Sequence, residues 1–328
     1  MAWIIFQSVL MGKIVTLDEI SRPESIAIDS KSNKIYIVEG ASIYIFSLND
    51  FKYVKKFGKT GSGPQEFYVL PIAKLSLYIQ DDCLFIRTVS KISYFTKDGV
   101  YKNEARTLSR ISAFFPSNTG FVGEAIKNDD NKSYYTVGLY DNKFNLVKEI
   151  YRQKSPLQMS NVFDPTNQKL PVLLFKYNRV FVNGENGIIH IFDPSGKELS
   201  SLAYPYEKLE VTDSLKEKVK EVYKKDPRTS AFYESLESMM KFPAYFPSIR
   251  EYIVADNQVY VLPYKNKEGE KSTFLVFDLN GKFIKKAPVA FSEQNILEAY
   301  PYTIDSGKLY QLVENEDEET WNLHINNL

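Results

Sequence analysis

The sequence predicts an all-β protein, a six-bladed β-propeller with a helical-hairpin insertion between the fourth and fifth blades. Three observations lead there. Short β-rich runs alternate apolar and polar residues and end in an aromatic; a tight polar turn follows each aromatic; and the whole unit recurs along the chain. Phe46, Phe95, Tyr140, Phe192 and Phe277 follow one another at 49, 45, 52 and 85 residues. A period near 50 with several short strands per unit is the mark of a propeller, and the long last interval is one unit plus about 35 inserted residues.

The first unit runs Asn33-Lys34-Ile35-Tyr36-Ile37-Val38, then Ser42-Ile43-Tyr44-Ile45-Phe46, then Tyr53-Val54-Lys55-Lys56-Phe57. The second repeats it from Leu84 to Lys102, turning at Asp98-Gly99. A weaker third copy runs from Phe121 to Lys148 and turns at Asn142-Lys143. The fourth turns at Ser195-Gly196 and the fifth at Asn280-Gly281. Asp-Gly and Asn-Gly between β-runs predict two-residue type I′ hairpins, in which both turn residues take φ > 0. The sixth unit ends with Thr320 to Ile325 and lacks an outer strand. Met11-Gly12-Lys13-Ile14-Val15 reads like Asn280-Gly281-Lys282-Phe283-Ile284, so residues 12–17 are expected to close the last blade and make residues 1–328 a single domain.

Composition removes several classes of function. The chain has 41 Lys and Arg against 41 Asp and Glu, so no net field draws it to nucleic acid. One cysteine, Cys83, excludes an intrachain disulfide framework and a Cys-rich metal site. With no cation beside it, Cys83 reads as buried and inert. Trp3 to Met11 is apolar but too short to span a membrane, and it lacks the basic start and cleavage site of a signal peptide.

Over residues 212–242 the period turns helical. Leu215, Val219, Val222 and Tyr223 form one stripe after a Thr212 or Asp213 cap, and Asp226-Pro227 ends it. Phe232, Leu236, Met239 and Met240 form a second. The two helices are expected either to cover a blade edge or to act as a lid, with Phe232, Met239 and Met240 facing a ligand.

Pro23-Glu24-Ser25-Ile26-Ala27-Ile28-Asp29 followed by Asn33 to Val38 resembles an NHL-type repeat. Phe57-Gly58-Lys59-Thr60-Gly61-Ser62-Gly63-Pro64-Gln65-Glu66-Phe67 and Phe242-Pro243-Ala244-Tyr245-Phe246-Pro247 resemble connecting segments of bacterial six-bladed propellers of that group. The resemblance implies the fold, and a periplasmic or extracellular setting. It implies function only coarsely, since such proteins include binding modules, lyases and calcium-holding lactonase-like hydrolases. The glycines at 58, 61 and 63 fit no phosphate-binding pattern and are expected to permit an irregular crossing between blades.

Candidate ligand-binding residues lie on the segments expected to be innermost: Glu24, Lys74, Arg110, Arg250, Glu251 and Glu298. Their mixed charges form either salt bridges across the channel mouth or a pocket in which Arg110 and Arg250 grip an anionic group. His190 and His324 fall away from those positions, and no nucleophile elbow occurs. The acidic run Glu314 to Glu319 reads as a solvated hairpin tip. The expected function is therefore non-catalytic: a scaffold binding a small molecule, glycan or protein around its channel, without a cofactor. The alternative is a calcium-dependent hydrolase or lyase using Glu24 and Glu298.

Overall fold

The computed structural model describes residues 12–69, 75–88, 91–107, 113–129, 132–155, 163–166, 173–184, 187–203, 207–264 and 271–328. Lys74, Arg110 and the Trp3 to Met11 stretch lie outside them. Six four-stranded antiparallel sheets follow one another along the chain. Blade I spans Ser25–Phe57, blade II Ser76–Arg106, blade III Phe114–Lys154, blade IV Leu173–Leu202 and blade V Glu251–Val289. Blade VI takes Tyr302–Asp305, Lys308–Asn315 and Thr320–Asn327 from the end of the chain and Lys13–Leu17 from its beginning. That last strand pairs antiparallel with Thr320–Asn327, Lys13 opposite Ile325 and Leu17 opposite Trp321.

The ring is held by apolar layers between blades. Ile26, Ile37 and Phe46 of blade I pack on Leu312, Leu323 and Trp321 of blade VI. On its other side, Tyr36, Val38 and Ile45 meet Leu84, Ile86 and Phe95 of blade II. Similar clusters join blades II to III to IV, IV to V, and V to VI. Each blade's second strand is sandwiched on both sides, which is why it reads as an unbroken apolar run. Ile35-Tyr36-Ile37-Val38 and Val180-Phe181-Val182 are all but inaccessible. β-branched and aromatic side chains suit this doubly covered, pleated position.

The hairpins leading into the outer strands differ from expectation. Only the glycine is left-handed: Gly99 at φ 69°, Gly196 at 75° and Gly281 at 82°. Gly281 N donates to Asp278 O (3.0 Å) and Asp278 N to Lys282 O (2.9 Å). The ladder then shifts register at Val276/Phe277. This is a type I turn closed by a glycine bulge, one residue longer than a type I′ hairpin. The residue after the aromatic is the reason. Its side chain holds the turn, Asp278 Oδ1 accepting from Asn280 N (2.8 Å) and Lys282 N (2.9 Å), and Asp193 and Asp141 do the same in blades IV and III. Asp278→Ala is expected to cost about 1 kcal/mol, read as a lowered midpoint in urea unfolding with an unchanged slope.

In chain order two helices follow blade IV and precede blade V: α1 at Asp213–Lys225 and α2 at Tyr233–Met239. Thr212 caps α1, its Oγ1 accepting from Leu215 N at 3.3 Å. Val219 and Tyr223 are buried, as the first stripe requires. Of the second stripe, Leu236 and Met240 pack inward as expected, and Tyr233 takes the place expected of Phe232. A 3₁₀ turn at Ser230–Phe232 precedes α2, so Tyr233, Leu236 and Met240 pack inward while Phe232 is left 49% exposed. The turn's tighter pitch changes the phase, and Phe232 and Met239 fall outside the apolar cluster. No helix among the described residues is long and apolar enough to cross a membrane.

Candidate functional site

Each first strand runs from one face of the disc, here the upper face, to the other. The segments joining blades and both helices therefore lie on the upper face, and the glycine-bulge hairpins on the lower one. Glu24 and Arg250 immediately precede the first strands of blades I and V, and Glu251 opens the latter. Their main chains continue the ladders, Glu24 N donating to Val38 O at 2.8 Å and Arg250 N to Leu262 O at 3.0 Å.

Arg250 is embedded rather than free. Its side chain is 3% exposed, Nη1 faces Glu293 Oε1 at 3.0 Å, Nη2 donates to Asn295 O at 3.4 Å, and the guanidinium lies 5.8 Å from the Tyr264 ring. Glu298 is likewise engaged: Arg228 Nη2, from the link between the helices, reaches its Oε1 at 3.2 Å. Arg228 is held charged by Asp226 first and Glu298 next. Asn295 Oδ1 accepts from both Leu297 N and Glu298 N, which fixes the segment that carries the carboxylate.

A second group carries no motif in the sequence. Glu124, on the second strand of blade III, accepts a hydrogen bond from Tyr135 Oη at 2.7 Å. Burial raises its carboxyl above the ordinary range, with Tyr135 and the Arg87 guanidinium of blade II pulling the other way. Its charge also reaches Tyr252 on the first strand of blade V, whose buried phenol is raised well above normal and donates to Phe181 O of blade IV at 3.2 Å. Side chains from blades II, III and V thus share one electrostatic neighbourhood around Glu124. Arg87 donates to Ser76 Oγ at 3.2 Å and lies near the rings of Tyr78 and Phe115. Tyr302, on the first strand of blade VI, has its phenol raised by burial and then by Glu251. The signal that could have found Glu124 is an acid inside the apolar run Phe121-Val122-Gly123-Glu124-Ala125-Ile126, where a carboxylate needs a partner.

Because Glu124 holds its proton more tightly folded than unfolded, its contribution to stability falls as pH rises from the unfolded carboxyl's range through the raised folded one. Glu124→Gln, which keeps an acceptor for Tyr135, is expected to raise the melting temperature near pH 8 and to change it little at pH 4. Equal effects at both pH values would show that Glu124 is not the titrating group.

The helical hairpin is tied down at several points. Phe163 N donates to Met239 O (2.7 Å) and Lys241 N to Phe163 O (2.8 Å). Tyr223 Oη donates to Pro165 O (3.0 Å). Val219, Tyr223 and Met240 pack with Phe246 and Leu297 in one apolar cluster. Phe232 and Tyr245 stay uncovered beside it, at 49% and 47% exposure, with Lys208 Nζ 5.3 Å from the Tyr245 ring centroid.

The remaining motifs are structural. The glycine segment is built around Phe67, fully buried, and Glu66, which accepts from Gly63 N (2.9 Å) and pairs with Lys59 (3.1 Å). Lys91 Nζ donates to Gly63 O at 2.7 Å. His190 Nδ1 lies 2.8 Å from Glu198, and burial lowers the pKa of His324. Cys83 is half-buried rather than enclosed, and burial raises its thiol above the usual range. Among the described residues no three His, Cys, Asp or Glu side chains are grouped to hold a metal ion.

The closed ring of six sheets defines the protein as an all-β six-bladed propeller. No known family matches the sequence, and no curated protein does. Among solved structures it is similar to KlHsv2 with its loop 6CD replaced by a Gly-Ser linker, at 12% identity over 93% of this chain and 84% of that one, with a TM-score of 0.40. It is also similar to BamB from Moraxella catarrhalis, at 11% identity over 92% and 71% with a TM-score of 0.34. A third is BBS1N in complex with ARL6DN, at 13% identity over 93% and 78% with a TM-score of 0.39. Such distant likenesses say nothing of what this chain binds.

Proposed function

We propose that the protein is a non-catalytic scaffold of the NHL-repeat-like group that binds a partner protein on its upper face, beside the channel mouth. The observation that carries this reading is that Phe232, on the helical hairpin, and Tyr245, on the segment that follows it, are both about half exposed on a region pinned to the blade connections. Large aromatics held on a rigid base lose little entropy on binding and are the residues that dominate protein interfaces. Fastening through Phe163, Pro165 and Glu298 supports a fixed platform over a mobile lid. The charged residues around the mouth serve as its supports: Glu298 holds Arg228, and Arg250 is enclosed by Glu293, Asn295 and Tyr264.

The test is comparative. Affinity capture with the wild type, a Phe232→Asp/Tyr245→Ala variant and a lower-face Tyr177→Ala variant should retain the same protein on the first and third only. Equal retention by all three would remove the upper face from consideration. The calcium-dependent alternative needs Glu298 as an ion ligand in place of its bond to Arg228. Near-stoichiometric calcium in the purified protein, lost in Glu298→Gln, would establish that alternative instead.

A further inference from the structure

The outer half of blade II departs from the repeat pattern. In blades I, IV and V the residue before the closing aromatic is Ile45, Ile191 or Val276, each all but inaccessible between blades. Blade II has Tyr94 there, half-buried against the apolar cluster that joins blades II, III and IV. Two residues earlier, Ile43 stands opposite Phe57 and Ile189 opposite Leu202, whereas Ile92 stands opposite Ala105. In blade V the alanine at this place, Ala287, is matched by the larger Phe274. Beside the short side chains of Ala105 and Asn103 lies a pocket of about 420 Å³, lined by Cys83, Tyr94, Lys102, Asn103, Glu104 and Ala105.

The polar groups around this pocket are free to meet a ligand. Among the described residues the Tyr94 hydroxyl, the Lys102 ammonium and the Asn103 amide take part in no hydrogen bond or ion pair. Asn103 stands directly opposite Tyr94, so both side chains leave the same face of the sheet. Glu104 opposes Ser93 on the other face, and its carboxylate accepts from Lys91 Nζ at 2.8 Å. The uncompensated charge lining the pocket is therefore positive. Lys102 acts on the half-buried Cys83 thiol more strongly than Asp81, Lys97 or Asp82, so the ammonium is the dominant charge at that wall.

We propose that this pocket binds a small carboxylate with an apolar body, its charge on Lys102 and its hydrogen bonds on Tyr94 and Asn103. The Tyr94 ring and the Ala105 methyl offer the apolar wall, and a few convergent polar groups on such a wall are what orient a small ligand. Filling the seam does not explain a tyrosine here. A half-buried phenol whose hydroxyl finds no protein partner gains nothing over the aliphatic side chains of blades I, IV and V. A phosphate dianion fits less well, because Lys102 is the single cation lining the pocket and no arginine fork is there to share the second charge. The site is on blade II, apart from the helical platform that follows blade IV.

Cys83 is the chain's single cysteine and lines the pocket, so its rate of alkylation by the neutral reagent N-ethylmaleimide reports occupancy. The probes are benzoate, phenylacetate and hexanoate at constant ionic strength, with benzamide as the neutral counterpart, and calorimetry reads the same affinities without the thiol. At least one carboxylate is expected to slow alkylation saturably, and benzamide to leave it unchanged. Lys102→Met should weaken that binding at least about ten-fold, the usual worth of a hydrogen bond to a charged group. Lys148→Met, on the outer strand of blade III, should not change it. Ala105→Phe copies blade I and fills the pocket, so binding should vanish while the melting temperature is kept or raised. No binding of any of the three carboxylates, equal binding of benzamide, or binding that survives Lys102→Met or Ala105→Phe would each overturn the proposal. So would loss of carboxylate binding in the Phe232→Asp/Tyr245→Ala variant, which would put the ligand on the upper face.

Discussion

A chain that begins at residue 18 is expected to lose its cooperative thermal transition and to self-associate. Lys13–Leu17 pairs with Thr320–Asn327 along its whole length and brings the start of the chain to the final blade. Thr16 Oγ1 donates to Asn322 Oδ1 at 2.8 Å, and Trp321 Nε1 reaches Ser21 O at 2.9 Å. Leu17, 1% exposed, belongs to the layer between blades VI and I with Ile26, Phe46 and Leu323. Losing that one side chain costs about 2–5 kcal/mol, a large part of the roughly 5–15 kcal/mol that holds a typical domain together. Removing the strand as well opens a long ladder edge on Thr320–Asn327, which invites pairing with a second chain. Leu17→Ala separates the two effects: it should lower stability by about 2–5 kcal/mol while the protein stays monodisperse. Ile14→Ala, on the exposed face of the same strand, should do neither. Calorimetry with light scattering reads both quantities. A residue 18–328 chain that melts like the full one would mean that the ring is held by the interblade layers alone.

The strand's place was legible because its sequence repeats a pattern seen elsewhere in the chain: Gly12-Lys13-Ile14-Val15 copies Gly281-Lys282-Phe283-Ile284, and like patterns pack alike. The second strands were legible for a related reason, since a strand covered on both sides has no polar face to show. The turns depart from expectation at one level only. A dipeptide such as Asn-Gly or Ser-Gly marks a reversal, but whether the residue before the glycine turns left-handed depends on the residue two places earlier, and the side chains of Asp193 and Asp278 settle that before Ser195-Gly196 and Asn280-Gly281 by capturing two backbone amides each. Phe51 and Phe144 stand in the left-handed position where other blades have glycine, and nothing in their local sequence announces it. Phe144 gains a ring stacked at 4.3 Å on Phe121, a tertiary contact. The mouth of the channel was legible as a location and not as chemistry. The repeat pattern marks the innermost segments that carry Glu24 and Arg250, but which carboxylate meets which guanidinium depends on long-range connections such as residues 293–298. Those carry no repeat signal.

Arg250 makes the difference between location and chemistry measurable. As a ligand donor it would be dispensable for folding, and as a pin between blade V and the segment that leads to blade VI it would not. The geometry gives the second outcome: Arg250→Ala is expected to destabilise by about 2–4 kcal/mol, somewhat less than a wholly buried pair because Glu293 retains some contact with solvent. The loss has two parts. Glu293 is left without its cation at 3.0 Å, and the Asn295 carbonyl and Tyr264 ring lose a neighbour that filled the space between them. Arg250→Met restores the volume without the charge, so it should recover part of the packing and leave Glu293 as the deficit. Adding Glu293→Gln to Arg250→Met should then recover stability further, because the carboxylate that faced the guanidinium no longer carries a charge. The double-mutant cycle between the two positions, measured by urea unfolding, reads the coupling directly and should exceed the roughly 0.2–1 kcal/mol typical of an exposed ion pair. A coupling near zero with an unperturbed Arg250→Ala would return the guanidinium to the role of a free anion donor at the channel mouth, and the upper face would then be better searched with small carboxylates than with proteins.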